Sequence, residues 1–206
     1  MAVVYMSYVF AGKHAVESPE TLVDAITALL VAERERLGAE YEYAGVDPGN
    51  THTEYVWEQT RSKSTQIRLV DDFQDGGKYI TVGALDEAGC ERLREVLASA
   101  FSFYTVPELT EKARGSTAAD VGWITLMAHS TNRRFDPDVK DVIEMHLRST
   151  SSACRRQAAV AVGLVRWPQL LPALGAAPQS ERDRGIRTAL DFGIMLCEQE
   201  ASLGTQ

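Results

Sequence analysis

The sequence has little cysteine, no long apolar run, and a shortage of positive charge in its first half. Its three cysteines, Cys90, Cys154 and Cys197, are odd in number, far apart and without a CxxC pair. They point to reduced thiols rather than to a disulfide frame or a zinc site. No stretch approaches the roughly 20 apolar residues that cross a bilayer. The opening residues MAVVYMSYVFAGKHAVESP are apolar but lack the basic start of a secretory signal peptide. A cytoplasmic chain without membrane attachment is therefore expected. Through Tyr104, nine Lys and Arg stand against seventeen Asp and Glu, a net of −8, whereas the remainder carries twelve of each. A duplex nucleic-acid binder needs the opposite sign, so nucleic acid is not an expected partner. A basic protein partner is favoured electrostatically, with solubility as the simpler use of the charge.

What is present describes a globular chain. Apolar residues make up 45% and charged residues 24% of 206 positions, enough for one large domain or two small ones. The β-branched and aromatic run Val3 to Phe10 predicts a strand that is apolar on both faces, hence a central one. Ser18 and Pro19 open a helix whose apolar stripe is Leu22, Ile26, Leu29, Leu30 and Leu37, closed by Gly38. Asp47-Pro48-Gly49-Asn50 predicts a turn. It precedes a strand over 51–59 in which Thr53, Tyr55 and Trp57 alternate with Glu54, Val56 and Glu58. Further strands are expected over 65–70 and 79–82, with Asp71 to Gly77 as their hairpin loop. Asp86 starts a second helix. This order predicts an α+β sandwich over residues 1–104: a mostly antiparallel sheet with two helices on one face.

From residue 105 to 206 the sequence predicts helices only. Thr117 with Asp120 resembles a capping box, Asp136-Pro137 is a strong helix start, Ser151 or Ser152 and Pro168 begin others, and Ser180 with Asp183 forms a last capping box. The helices are short and closely connected, as in stacked hairpins. The phrases RRQAAVAVG (155–163), LLPALGAA (170–177) and SERDRGIRTAL (180–190) are similar to the HEAT-repeat consensus, and Arg155 and Arg187 lie 32 positions apart. The resemblance covers about residues 117–200. It implies an all-α HEAT-like region in which Trp167 to Leu174 is the second helix of a unit. It also implies that Arg155 and Arg187 tie neighbouring units together, with Asp183 as the acidic turn residue. Ser149 to Ser152 stand where the preceding unit would carry its own acidic residue.

His129, Asp136, Asp138, Asp141, Glu144 and His146 cluster in sequence but lack metal-ligand spacing, so no metal or other cofactor is expected. No Cys has the neighbourhood of a catalytic family. Cys90 follows Gly89 near a helix start, where a thiolate gains stability, with a buried inert thiol as the plainer reading. Gly76-Gly77-Lys78 lacks the spacing and the following Ser or Thr of a phosphate loop and reads as a hairpin. No catalytic residue is therefore assigned. The partner-binding candidates are Tyr55 and Trp57 beside Glu54 and Glu58, the acidic loop residues Asp71, Asp72 and Asp75, and Arg156 and Arg184 on the helical half. For Tyr55 and Trp57 a place in the core is the plain alternative. The reading that follows is a non-catalytic protein-binding module, in a sharper form an immunity- or antitoxin-like protein masking a basic partner. The alternative is an enzyme or small-molecule receptor with its site between the α+β and helical regions.

Overall fold

Five strands form one antiparallel sheet in the computed structural model, which describes residues 3–62, 64–73, 76–175 and 181–203. The chain divides into two compact units, Met1–Tyr104 and Thr105–Gln206, and the sheet lies in the first. Strands β1 (Val4–Val9), β2 (Tyr41–Pro48), β3 (His52–Gln59), β4 (Gln66–Asp72) and β5 (Gly77–Ala84) are ordered β1-β5-β4-β3-β2. The last four form a meander, and β1 pairs antiparallel with β5. With the helices described below, this makes the chain α+β.

Alternation places one side chain in two on the helix side of the sheet. The pairs Met6 with Val82, Val82 with Ile67, and Ile67 with Trp57 run straight across four strands. All four are buried. Helices α1 (Pro19–Ala32) and α3 (Glu87–Ala100) cover this row with Leu22, Ile26 and Leu30 from one and Leu93 and Leu97 from the other. Each such side chain contributes about 1.5–3 kcal/mol on leaving water. Ser18 caps α1 by accepting from the Thr21 N–H (3.3 Å), and Asp86 caps α3 by accepting from the Gly89 N–H (2.7 Å). The single helix expected to end at Gly38 breaks at Glu33, leaving the short α2 (Arg34–Leu37). Gly38 then closes it in the left-handed region at φ +62°.

Two expectations need correction. β1 is an edge strand, not a central one. Its apolar character on both faces has a local cause, because its end is tied to the segment after α3. Ala11 donates to the Ser102 carbonyl and Tyr104 to the Val9 carbonyl, both at 2.8 Å, and Phe10 bridges Phe103. The second correction is β2, an eight-residue strand where the sequence predicts only the approach to a turn.

The second unit is helical throughout its described residues: α4 (Val106–Arg114), α5 (Gly122–Ser130), α6 (Pro137–Leu147), α7 (Ser152–Val165), a 3-10 turn (Pro168–Leu170) running into α8 (Leu171–Leu174), and α9 (Arg184–Leu203). α4 packs with α5 and α6 with α7, while the Pro168–Leu174 segment packs on α9. The second arms α5, α7 and α9 lie side by side with α7 in the middle. The segment from Trp167 to Leu174 is thus the first arm of a third hairpin rather than the second helix of a unit begun by α7. Asp136 caps α6 through the N–H groups of Asp138 (2.9 Å) and Val139 (3.2 Å), with Pro137 at the first helical position. Ser151 caps α7. The Thr117–Asp120 hydrogen bonds form, but in a turn that precedes α5. Ser180 lies outside the described residues, and Asp183 accepts from the N–H groups of Gly185 (2.8 Å) and Ile186 (3.1 Å) at the start of α9.

Small residues let α7 and α9 approach closely. A Cβ added at Gly193 would stand 2.8 Å from Cγ1 of Val162, a stiff β-branched side chain. Gly193→Ala is therefore expected to destabilise the unit by about 1 kcal/mol, strain outweighing the gain in helix propensity. Adding Val162→Ala should make the alanine at 193 less costly than it is alone. Urea unfolding of the two single variants and the double variant measures that coupling.

Candidate partner-binding surfaces

The face of the sheet turned away from α1 and α3 carries a hydrogen-bonded polar ladder. Gln66 donates to Glu58 (2.9 Å), Arg68 donates to Gln66 (3.0 Å) and to Glu54, and His52 stands 3.4 Å from Glu54. Register explains this, since Glu54 and Glu58 lie beside Val70 and Gln66 on the strand that also carries Arg68. Glu54 thus has a guanidinium partner and is only 20% exposed. It is part of the sheet's own wiring rather than a free carboxylate for a partner.

Tyr55 and Trp57 separate in role. Trp57 is fully buried, and its indole N–H donates to Thr27 Oγ1 on α1 at 3.0 Å. This overturns its candidacy as a surface anchor, because an aromatic on the covered face of β3 fills the core. Tyr55 is half-buried, and burial, followed by the carboxylates of Glu20 and Asp71, pushes its phenol above the ordinary tyrosine value. Asp71 pairs with Lys78 across the hairpin (3.7 Å), Asp72 sits at the end of β4, and Asp75 lies outside the described residues.

Beside Tyr55 lies the feature that the sequence did not announce. β2 closes one side of the sheet and is exposed along most of its length. Tyr43 and Val46 project to the helix side, opposite Trp57 and Tyr55, and are 42% and 51% exposed. The Tyr43 ring rests 5.4 Å from that of Trp57. Glu42 and Asp47 project to the other side, next to Glu58 and Glu54, and are exposed. A bulge between Tyr43 and Gly45, with Gly45 at φ +132°, shifts the register by one residue.

In the helical unit the arginines at the start of α7 are committed to the turn before α9. Arg155 donates to Glu181 through Nε (2.7 Å) and Nη2 (3.3 Å), and through Nη1 to the carbonyls of Ser149 and Thr150. Arg187 donates to the Glu181 carbonyl (2.9 Å). The acidic partner of Arg155 is therefore Glu181 and not Asp183, which instead accepts from Arg156 (3.1 Å). Arg184 is exposed at the first residue of α9. A groove of about 500 Å³ opens here, lined among others by Arg148, Arg155 and Arg182 together with Glu144 and Glu181. Its charges are mostly matched: Glu144 takes Lys140 (2.6 Å) and Arg148 (3.5 Å), and Glu181 takes Arg155. A balanced groove of this kind holds its walls together more than it attracts an anion.

The remaining candidates for chemistry are structural. Cys90 is buried with its thiol toward the carbonyls of Val4 and Val82, and burial raises its pKa, which disfavours the thiolate. His146 is buried and its Nε2 meets the Ala113 carbonyl at 2.7 Å. Among the described residues no three His, Cys, Asp or Glu side chains gather as a metal site, and no helix is long and apolar enough to cross a membrane. Compared with known proteins, the chain matches no family model, no curated protein and no solved structure.

Proposed function

We propose that the chain is a non-catalytic, cytoplasmic protein-binding module whose α+β unit takes a basic protein partner. One observation carries this reading. The β2–β3 hairpin has exposed carboxylates on its outer strand beside exposed Tyr43 and Val46, and no Lys or Arg occurs between Leu37 and Thr60. A surface that joins apolar anchors to one sign of charge suits a partner of the opposite sign. The helical unit fits this role as a HEAT-like repeat: three hairpins lie side by side, and Arg155 ties the second to the third. In its sharper form the module masks a basic toxin, as an immunity protein does.

The test begins with the tagged chain as bait in lysate of its own cells, at low and high salt, followed by purification of the captured protein. A basic partner is expected, with an affinity that weakens about tenfold or more from low to high salt. The charges to reverse are Glu42 and Asp47, not Glu54, which Arg68 already holds. Glu42→Lys with Asp47→Lys should slow association about tenfold and leave dissociation much less changed. Stopped-flow or surface-based kinetics measure both rates. A salt-independent affinity, or a partner as acidic as this chain, would overturn the reading.

A further inference from the structure

We infer that β2 is a docking edge, and that an extended segment of the partner, alternating apolar and basic residues, adds there as a sixth strand. This rests on the reading of the α+β unit as a binder of a basic protein and adds the mode of recognition. The backbone supplies the first part of the argument. β2 ends the sheet, and its neighbour on one side only is β3. The Thr60 N–H donates to the Glu40 carbonyl (2.9 Å) and the Gly49 N–H to the His52 carbonyl (2.8 Å), which fixes the bonded pairs at both ends of the hairpin. Bonded and non-bonded pairs alternate in an antiparallel ladder. Counting inward from each end to the bulge, the backbone groups of Tyr41, Tyr43 and Val46 point away from β3. Pro48 falls in the same outward set, where its missing N–H removes no bond to β3.

The side chains supply the second part. An incoming strand meets Tyr43 and Val46 on one face and Glu42 and Asp47 on the other. Its complement is a residue pattern of period two, apolar on one side and Lys or Arg on the other. Edge strands are commonly blunted by an outward lysine. β2 has none; the Gly45 bulge and, at its end, Pro48 interrupt its outer side, which leaves the backbone groups of Tyr41, Tyr43 and Val46 to an incoming strand. A second copy of this chain would bring the same carboxylates against themselves, so charge favours a basic segment over self-pairing.

The test titrates the isotope-labelled full chain with an end-capped octapeptide alternating valine and lysine. Amide shifts are expected to concentrate on Tyr41 to Asp47, with slowed hydrogen exchange at Tyr41, Tyr43 and Val46. A peptide of the same composition in two blocks, four valines then four lysines, should bind about tenfold more weakly. So should the Val46→Lys chain, whose amide spectrum shows whether it remains folded. Equal affinity for the blocked peptide, with shifts spread over the acidic surface, would overturn strand addition while leaving the basic-partner reading intact. Failure of both peptides while a basic partner is still captured overturns strand addition in the same way. If no basic partner binds either, the reading beneath it falls too. A concentration-dependent dimer abolished by Val46→Lys would give the edge to a second copy and overturn the inference.

Discussion

Trp57→Ala is expected to leave the α+β unit unfolded or close to it, at a cost of about 3–5 kcal/mol against the 5–15 kcal/mol that holds a typical domain together. The side chain is fully buried, stands opposite Ile67 on β4, and joins α1 through its indole N–H on Thr27. The Thr27 hydroxyl in turn donates to the Val23 carbonyl (2.8 Å), so the indole bond is oriented by the helix itself. Two contributions separate experimentally. Trp57→Phe keeps most of the ring volume and gives up the hydrogen bond, worth about 1 kcal/mol. Thr27→Val leaves the indole N–H buried without that acceptor, costing about 1–3 kcal/mol. Tyr43→Ala, on the exposed strand of the same hairpin, should cost less than any of the three. Urea unfolding of the four variants gives the ranking. A Trp57→Ala chain with the parent midpoint would mean that this residue does not anchor the core. The ranking also bears on function: lost binding in Trp57→Ala reports unfolding, whereas lost binding in a folded Tyr43→Ala chain reports the surface.

Much of the fold was legible because local signals agreed with tertiary ones. The alternation from Thr53 to Glu58 predicts two faces, and those faces are the core and the polar ladder. Ser18-Pro19, Asp86 and Asp136-Pro137 predict helix starts, and each cap forms. β2 was hidden by its bulge. Tyr41 and Tyr43 keep period two, then the Ala44-Gly45 step moves the apolar position to Val46, so the strand pattern breaks midway. β1 misled for a different reason. Apolar residues on two faces resemble a central strand, but Tyr5 is 51% exposed, and the segment that ties the end of β1, Ser102 to Tyr104, lies more than 90 residues away in sequence.

The candidate site was less legible, because the role of a charge depends on its neighbour across the sheet or turn. Nothing near Glu54 in sequence announces Arg68; antiparallel register sets them diagonally on one face, within reach of an ion pair. The same limit applies to the tie at α9. The HEAT resemblance implies Asp183 as the acidic turn residue, two residues beyond the side chain that pairs with Arg155. Asp183 was already engaged as the cap of α9, and a carboxylate facing two helix N–H groups is poorly placed to take a guanidinium from α7 in bidentate fashion. Glu181, just before it, has the reach.

That tie makes Glu181→Gln the second large effect expected, about 2 kcal/mol at neutral pH. Arg155 hydrogen bonds, then the Asp183 N–H (3.0 Å), hold the Glu181 carboxyl at about 2, well below its ordinary 4.5. A carboxyl whose pKa is lower in the folded chain than in the unfolded one stabilises the fold above 4.5. That contribution is lost as pH falls toward 2, because the unfolded chain takes up the proton first. The full shift would correspond to more than 3 kcal/mol. The pair lies at a groove wall with Arg155 24% exposed, so solvent screening reduces it to about 2. Arg156 with Asp183 is far more exposed and is expected to contribute less than about 1 kcal/mol. Arg155→Lys should behave nearly as badly as Glu181→Gln, since a single ammonium cannot replace a fork that serves both carboxylate oxygens and two carbonyls. Urea unfolding followed by helical circular dichroism, repeated from neutral pH downward, decides the matter. The gap between parent and Glu181→Gln should narrow as pH drops below about 4.5, with the parent falling toward the variant. A gap that stays constant into strong acid would mean that shape rather than charge joins α7 to the turn before α9.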